Sequence, residues 1–220
     1  MNINKNHDQR FWFIGTVYGM YVIIANLLPY GGVYKLGLSV LLLLLVYLTI
    51  SVATRGVKRT VLFLLITYTL TFVIEHTSIY YGVPFGYYRY TDLLGLKLLG
   101  VPVVIPLIWS SILFISYELG GPLFAPVLAT FIDVGFDPVF SRMLWHWLTV
   151  GQYYGVPISN FIGWYITSML VLMVYYFAVD YGRIFKRNRW MVLTYTLFGV
   201  GVVIVDYSVG LYAVIIPLSF

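Results

Sequence analysis

The sequence predicts an all-α protein, a polytopic transmembrane helical bundle of about seven helices, folded as one integral membrane domain over residues 1–220 with a cytoplasmic N-terminus. Three observations predict it. Hydrophobic residues make up 61% of the chain and charged residues 10%, whereas soluble proteins carry roughly 25% charged residues. Apolar stretches of spanning length recur from one end to the other. The basic residues sit in the short gaps between those stretches.

A spanning helix needs about 20 mostly apolar residues, because a hydrocarbon core of roughly 30 Å is crossed at about 1.5 Å per residue. In order, the stretches that approach this are residues 11–28, 36–53, 57–79, 101–117, 121–140, 161–179 and 191–216. The first reads as a retained helix, not a signal peptide, because glycine and tyrosine are scattered through it and no small-residue cleavage site follows. Gly120-Gly121-Pro122 breaks the helical pattern and can turn the chain straight into the next span. Most joints are short. Two connections are longer, residues 80–100 and about 141–160, and both fall on the expected outer side. They share a repeat, since Tyr80-Tyr81-Gly82-Val83-Pro84 recurs as Tyr153-Tyr154-Gly155-Val156-Pro157, with a shorter echo at Gly100-Val101-Pro102. Interfacial aromatic enrichment accounts for such a pattern, and so do two matching turns folded over the outer mouth of the bundle.

Helices that alternate from a cytoplasmic N-terminus place Lys5, Arg10, Arg55, Lys58, Arg59, Arg183, Lys186, Arg187 and Arg189 inside, and Lys35, Arg89, Lys97 and Arg142 outside. This follows the positive-inside rule and implies a multi-pass protein of the cell membrane. The net charge of +5 does not indicate nucleic acid, because the basic residues form no polar stripe. With no cysteine, disulfides, thiolate catalysis and cysteine-ligated metals are excluded. The histidines, His7, His76 and His146, lack metal-type spacing, so no metal site is expected.

A carboxylate inside lipid costs a few kcal/mol at least and carries a functional hypothesis by default. Asp8 and Asp92 fall in loops. Glu118 and Asp180 fall at inner helix ends beside basic loops, which suits interfacial ion pairs. Glu75, Asp133, Asp137 and Asp206 fall in the outer halves of their spans. Asp133 and Asp137 are four apart and share a face of a continuous helix, where they could converge with Glu75. Asp137-Pro138 also looks like an N-cap followed by a first-turn proline, so Asp137 either joins that cluster or starts a new segment. Asp206 is either a further functional acid or a neutral one satisfied by a tyrosine. His76, beside Glu75, is either a proton relay or a hydrogen-bonded structural group.

Aromatic residues crowd these acids, among them Tyr80, Tyr81, Tyr87, Tyr88, Tyr90, Trp109, Trp145, Trp147, Tyr153, Tyr154 and Trp164. An interfacial belt explains many of them, but less readily Trp145-His146-Trp147 beside a carboxylate pair. Aromatic faces stabilise a positive charge by roughly 0.5 to 2 kcal/mol each, which suits a carbocation held out of water.

The stretches 82–90, 100–109, 133–138, 145–147 and 151–164, together with Glu75, resemble the membrane carotenoid hydratase family, including bisanhydrobacterioruberin hydratase and the related enzyme that hydroxylates γ-carotene by adding water. The resemblance covers residues 75–165; the first two helices and the last match in hydrophobic character alone. It implies a lipid-soluble carotenoid substrate and no cofactor. It also implies contact with membrane lipids, and association with other membrane enzymes of the carotenoid pathway.

Hydrating a terminal isoprenoid double bond needs a proton donor, a tertiary cation and a water on the correct carbon. A carboxylic acid in an apolar pocket keeps its proton more readily than in water, and a second carboxylate nearby strengthens the effect. The expectation is that one of Glu75, Asp133 and Asp137 protonates the alkene while an ionised partner orients and deprotonates water. Asn160, Tyr88 and His76 are candidates for holding that water, and Trp109, Trp145, Trp147 and Trp164 for lining the channel. The nearest rival is a lycopene-cyclase-like enzyme, which also begins by protonating a terminal double bond. A proton-coupled transporter would more readily show two similar halves with broken helices. A retinal protein lacks its attachment point, since Lys5, Lys35, Lys58, Lys97 and Lys186 all lie at loops or span ends. An assembly protein for pigment complexes is a fourth possibility.

Overall fold

A computed structural model describes residues 32–185, 192–193, 195–197 and 199–200, with side chains from residue 44 onward. The expected spans 11–28 and most of 191–216, Asp206 included, lie outside the described residues.

Helix α1 (Gly32–Arg55) and helix α2 (Val57–Tyr81) meet at Gly56. The burial of α2 is the reverse of a water-soluble helix. Its exposed side includes Val57, Val61, Leu65 and Val73, while Thr60, Thr67, Thr71, Glu75 and Ser78 are buried. Spacings of seven, four, four and three residues put these polar groups on one face, as lipid-facing apolar surface and a polar interior require. The threonines satisfy themselves on the preceding turn, Thr67 Oγ1 donating to the Phe63 carbonyl (2.8 Å) and Thr71 Oγ1 to the Thr67 carbonyl (2.8 Å).

After α2 the chain forms β1 (Tyr88–Tyr90), a 3₁₀ turn (Asp92–Leu94), and the short antiparallel pair β2 (Lys97–Leu98) and β3 (Val101–Pro102). Helix α3 (Ile105–Phe140) follows, then β4 (Trp145–Trp147), α4 (Ile158–Tyr175) and a π turn (Tyr176–Asp180) that extends α4. The helical expectation holds for most of the described chain. The two long connections differ from it, because each contributes a strand, and β1 pairs with β4. Among the described residues, three helical runs are long and apolar enough to cross a membrane: Val57–Tyr81, Ile105–Phe140 and Ile158–Asp180.

Helix α3 is not straight. Gly121 has φ 61° and ψ −170°, outside the helical region. Trp109 on its first limb bonds to Glu75, and Asp137 on its second accepts from Trp147, whose ring packs 5.0 Å from Tyr88, itself bonded to Glu75. A straight helix would hold residues 28 apart in sequence about 42 Å apart, so the chain doubles back at Gly121. Pro122, placed at the start of the second limb, lacks the N–H that a first-turn residue leaves unused. The Gly-Gly-Pro break is where the sequence places it. Asp137 and Pro138 lie inside the last turns of α3, so Asp137 does not start a new helix.

Gly121→Ala tests this joint. Its conformation is one that side-chain-bearing residues rarely adopt, and an added Cβ would sit 3.3 Å from the Phe185 ring. Backbone strain of this kind costs about 1–3 kcal/mol. Thermal unfolding in detergent should therefore shift clearly downward; an unchanged midpoint would contradict the hinge.

At the end of the bundle away from the strands, Arg55 bonds to Glu118 and lies 3.6 Å from Asp180, and Arg183 bonds to both acids at 3.1 and 2.9 Å. The guanidinium of Arg55 faces the rings of Phe63, Phe114, Tyr117 and Tyr175 at 5.0 to 5.7 Å. Glu118 and Asp180 are thus ion-paired, as their positions beside basic residues indicate, and the network ties together the end of α1, the first limb of α3 just before Gly121, and the π turn after α4.

Candidate active site

The opposite end of the bundle gathers the remaining described intramembrane acids. Glu75 lies near the C-terminal end of α2, Trp109 in the second turn of α3, Asp133 and Asp137 near the end of α3, and Asn160 in the first turn of α4. Each helix therefore delivers its polar residue to the same level. Asp133 and Asp137, four apart, share one helical face.

The cap over this level is a two-stranded ribbon. The register pairs Tyr88 with Trp147, Arg89 with His146, and Tyr90 with Trp145. Side chains alternate across a strand, so Tyr88, Tyr90, Trp145 and Trp147 share one face, while Arg89 and His146 take the other and are exposed. The inner rings pack against one another, with Tyr88 5.0 Å from Trp147 and Tyr90 6.0 Å from Trp145.

Those rings carry hydrogen-bond donors that meet the acids. Glu75 Oε2 accepts from the hydroxyls of Tyr88 and Tyr90, the latter at 2.7 Å, and Glu75 Oε1 accepts from Trp109 Nε1 (2.7 Å). Asp137 Oδ1 accepts from the indoles of Trp145 (3.0 Å) and Trp147 (2.9 Å). The Asn160 amide donates to Asp133 Oδ2 and Asp137 Oδ2, both at 2.7 Å. Burial and the neighbouring Glu75 push the Tyr88 and Tyr90 phenols well above their ordinary range, so both remain O–H donors. All three carboxyl residues are buried, at 5%, 3% and 2% exposure for Glu75, Asp133 and Asp137.

Trp164 stacks on Trp109, centroids 3.6 Å apart and planes within 17°. Phe85 flanks the same ring at 5.9 Å. Gly163 lets the turn before β1 approach α4, since a Cβ there would meet Phe85 at 2.5 Å and the Pro84 carbonyl carbon at 3.1 Å.

The structure thus brings together Glu75, Asp133, Asp137, Tyr88, Trp109, Trp145, Trp147 and Asn160, with Trp164 stacked behind Trp109. It places His76 elsewhere. The His76 Nδ1 donates to the Leu99 carbonyl (3.0 Å), and its ring packs on Tyr80 at 4.6 Å. Tyr90 is a site residue that the sequence marks only as one of many aromatics. The signal for it was the alternation Tyr-Arg-Tyr, which repeats as Trp-His-Trp and marks two strands showing aromatic faces in the same direction. Outside the site, Lys97 donates to the Tyr90 carbonyl (2.9 Å) and holds the Asp92 carboxylate below its usual range. Among the described residues, no three His, Asp or Glu side chains form a metal-holding group.

A family model described as carotenoid biosynthesis protein matches residues 32–219. The chain belongs to the carotenoid biosynthesis protein family. Neither a curated protein nor a solved structure matches it. Every residue of the acidic site lies within the matched range. In this carotenoid biosynthesis protein, buried carboxyls, tyrosine hydroxyls and indole rings therefore meet in a membrane protein whose family makes long apolar polyenes. Such a site can hold a proton and face a developing cation with aromatic rings and carboxylates.

Proposed function

We propose that the protein is a carotenoid hydratase, a cofactor-independent hydro-lyase that adds water across a terminal isoprenoid C=C of an acyclic carotenoid. The observation that carries this reading is the unequal hydrogen bonding of three converging acids. Among the described residues, Glu75 and Asp137 each accept three donated hydrogen bonds, while Asp133 accepts one. Three N–H or O–H donors suit an anion, and the sparsely bonded Asp133 has an oxygen left to carry and deliver a proton.

Asp133 gives its proton to the terminal alkene, leaving a tertiary cation. The Glu75 carboxylate and the rings of Trp109, Trp145 and Trp147 stabilise that cation. Water attacks it and loses a proton to Asp137. Transfer of that proton from Asp137 back to Asp133, the two carboxyls held together by the Asn160 amide, restores the starting state, so the balance is alkene plus water to tertiary alcohol. Tyr88 and Asn160 are the groups placed to orient the water.

The proposal includes about seven spans in the cell membrane, with the N-terminus inside and this site toward the outer face. The unequal distribution of basic residues supports it. The carotenoid reaches the site from surrounding lipid, in association with other membrane enzymes of the pathway.

Expression in a host that makes an acyclic carotenoid precursor, followed by mass analysis of the extracted pigment, tests the reading. The expected product is heavier by one water per modified end group. A new product of unchanged mass would instead establish cyclisation, and an unaltered pigment would remove the proposal.

A further inference from the structure

A stripe of hydroxyls runs from the acids toward the opposite end of the bundle. On the buried face of α2, Phe63, Thr67, Thr71 and Glu75 follow at four-residue intervals, spanning about 18 Å. Thr67 Oγ1 meets Ser110 Oγ at 2.7 Å, which joins the stripe to α3 beside Trp109. At its far end, Phe63 faces the Arg55 guanidinium at 5.7 Å.

Among the described residues, the middle of the bundle and its ion-paired end hold buried polar atoms with no partner: Tyr47 Oη, Arg55 Nε, Ser116 Oγ, Thr167 Oγ1, Ser168 Oγ and Asp180 Oδ1. They are not scattered. Ser116 is two residues before Glu118, Thr167 and Ser168 are about two turns above Tyr175, and Tyr47 packs at 4.8 Å on Phe114, a ring that also faces Arg55. An unpartnered buried polar group destabilises the fold, and six together would weigh heavily on the marginal stability of an ordinary domain. A serine or threonine could turn back onto its own helix. The Arg55 Nε and Asp180 Oδ1 have no such alternative. A mixed set of donors and acceptors is what internal water satisfies.

We propose that a file of internal water follows this stripe from the Arg55–Asp180 end, where Arg183 is 27% exposed, up to Glu75, and supplies the water added at the acids. The aromatic ribbon covers the acids from the other side, so entry from the ion-paired end does not require the cap to open. The file itself is independent of the hydratase reading; its use as a supply rests on that reading.

Hydroxyl-radical footprinting by water radiolysis on the full chain in lipid nanodiscs tests the file without any activity assay. Tyr47, Tyr117 and Trp109, at most 2% exposed, should incorporate oxygen despite their burial, with exposed Tyr81 as the positive control. The isosteric change Thr67→Val combined with Thr167→Val should cut labelling of Trp109 several-fold while leaving Tyr47 labelled. Unlabelled Tyr47 and Trp109 in the wild type would overturn the file, and unchanged Trp109 labelling in the variant would overturn its route. If the wild type is labelled and hydrates its substrate but the variant keeps full turnover, the supply role fails. If labelling is present and no water adduct forms, the hydratase reading fails and the file stands.

Discussion

Asp133→Asn should lower formation of the water adduct by about 10²–10⁴-fold, the usual contribution of a positioned general acid. The substitution keeps the shape of the side chain, and its carbonyl can still accept from the Asn160 amide, so yield and thermal unfolding should stay near wild type. What is lost is the transferable proton. Asp137→Asn should cost a comparable factor, because the pair would lose the group that recovers the proton from water. It would also leave either an amide or a carbonyl at the single oxygen that both indoles face, so its folding needs the same control. Glu75→Gln keeps one acceptor, for either Trp109 or the two tyrosines, and removes the negative charge facing the cation; a smaller loss is expected. His76→Gln serves as the contrast, since His76 faces Leu99 and Tyr80; its rate should match the wild type. Product quantified by mass against protein amount decides the series. An undiminished rate in Asp133→Asn would remove the assigned donor.

The contrast between His76 and Tyr90 shows how far the sequence could be read. Glu75, Asp133 and Asp137 stood out because an ionisable group in lipid is costly enough to need a reason, and the four-residue spacing placed two of them together. Asn160 and the tryptophans were found by proximity in sequence to those acids and by the family motifs. His76 stands out in the sequence on the same ground of adjacency, yet consecutive residues on a helix point about 100° apart, so one buried neighbour says little about the next. Tyr90 needed the pairing of β1 with β4. Strands of three residues, set in loops of twenty, are held by contacts distant in the chain, and their register is not written in local propensity. The break at Gly121 was legible for the opposite reason, since Gly-Gly-Pro acts locally. The ion pairs of Glu118 and Asp180 were legible from their position beside basic residues, but the ring cage around Arg55 was not, because its members come from α2, α3 and α4.

Arg55→Met is the stability counterpart. Its side chain is 1% exposed, bonds to Glu118 and Tyr175, and lies 3.6 Å from Asp180. Methionine can fill much of the space among the four rings, so packing loss is modest. The larger effect is that two buried carboxylates would then depend on Arg183 alone. Removing one partner from a buried ion pair costs about 3–5 kcal/mol, since the charge left behind remains desolvated. Arg183, 27% exposed, can be hydrated when its partners change, and pairs open to solvent contribute about 0–1 kcal/mol. Arg183→Met should therefore be the milder variant by a wide margin, although it touches the same two acids. Replacing Arg55, Glu118 and Asp180 together by apolar residues of similar size should recover much of the loss, because no buried charge is then stranded. Thermal unfolding in detergent, read by loss of helical signal, orders the variants. Equal midpoints for Arg55→Met and Arg183→Met would mean that burial at this end does not set the strength of the network, and the ion pairs would then be an accessory to helix packing that the rings alone maintain.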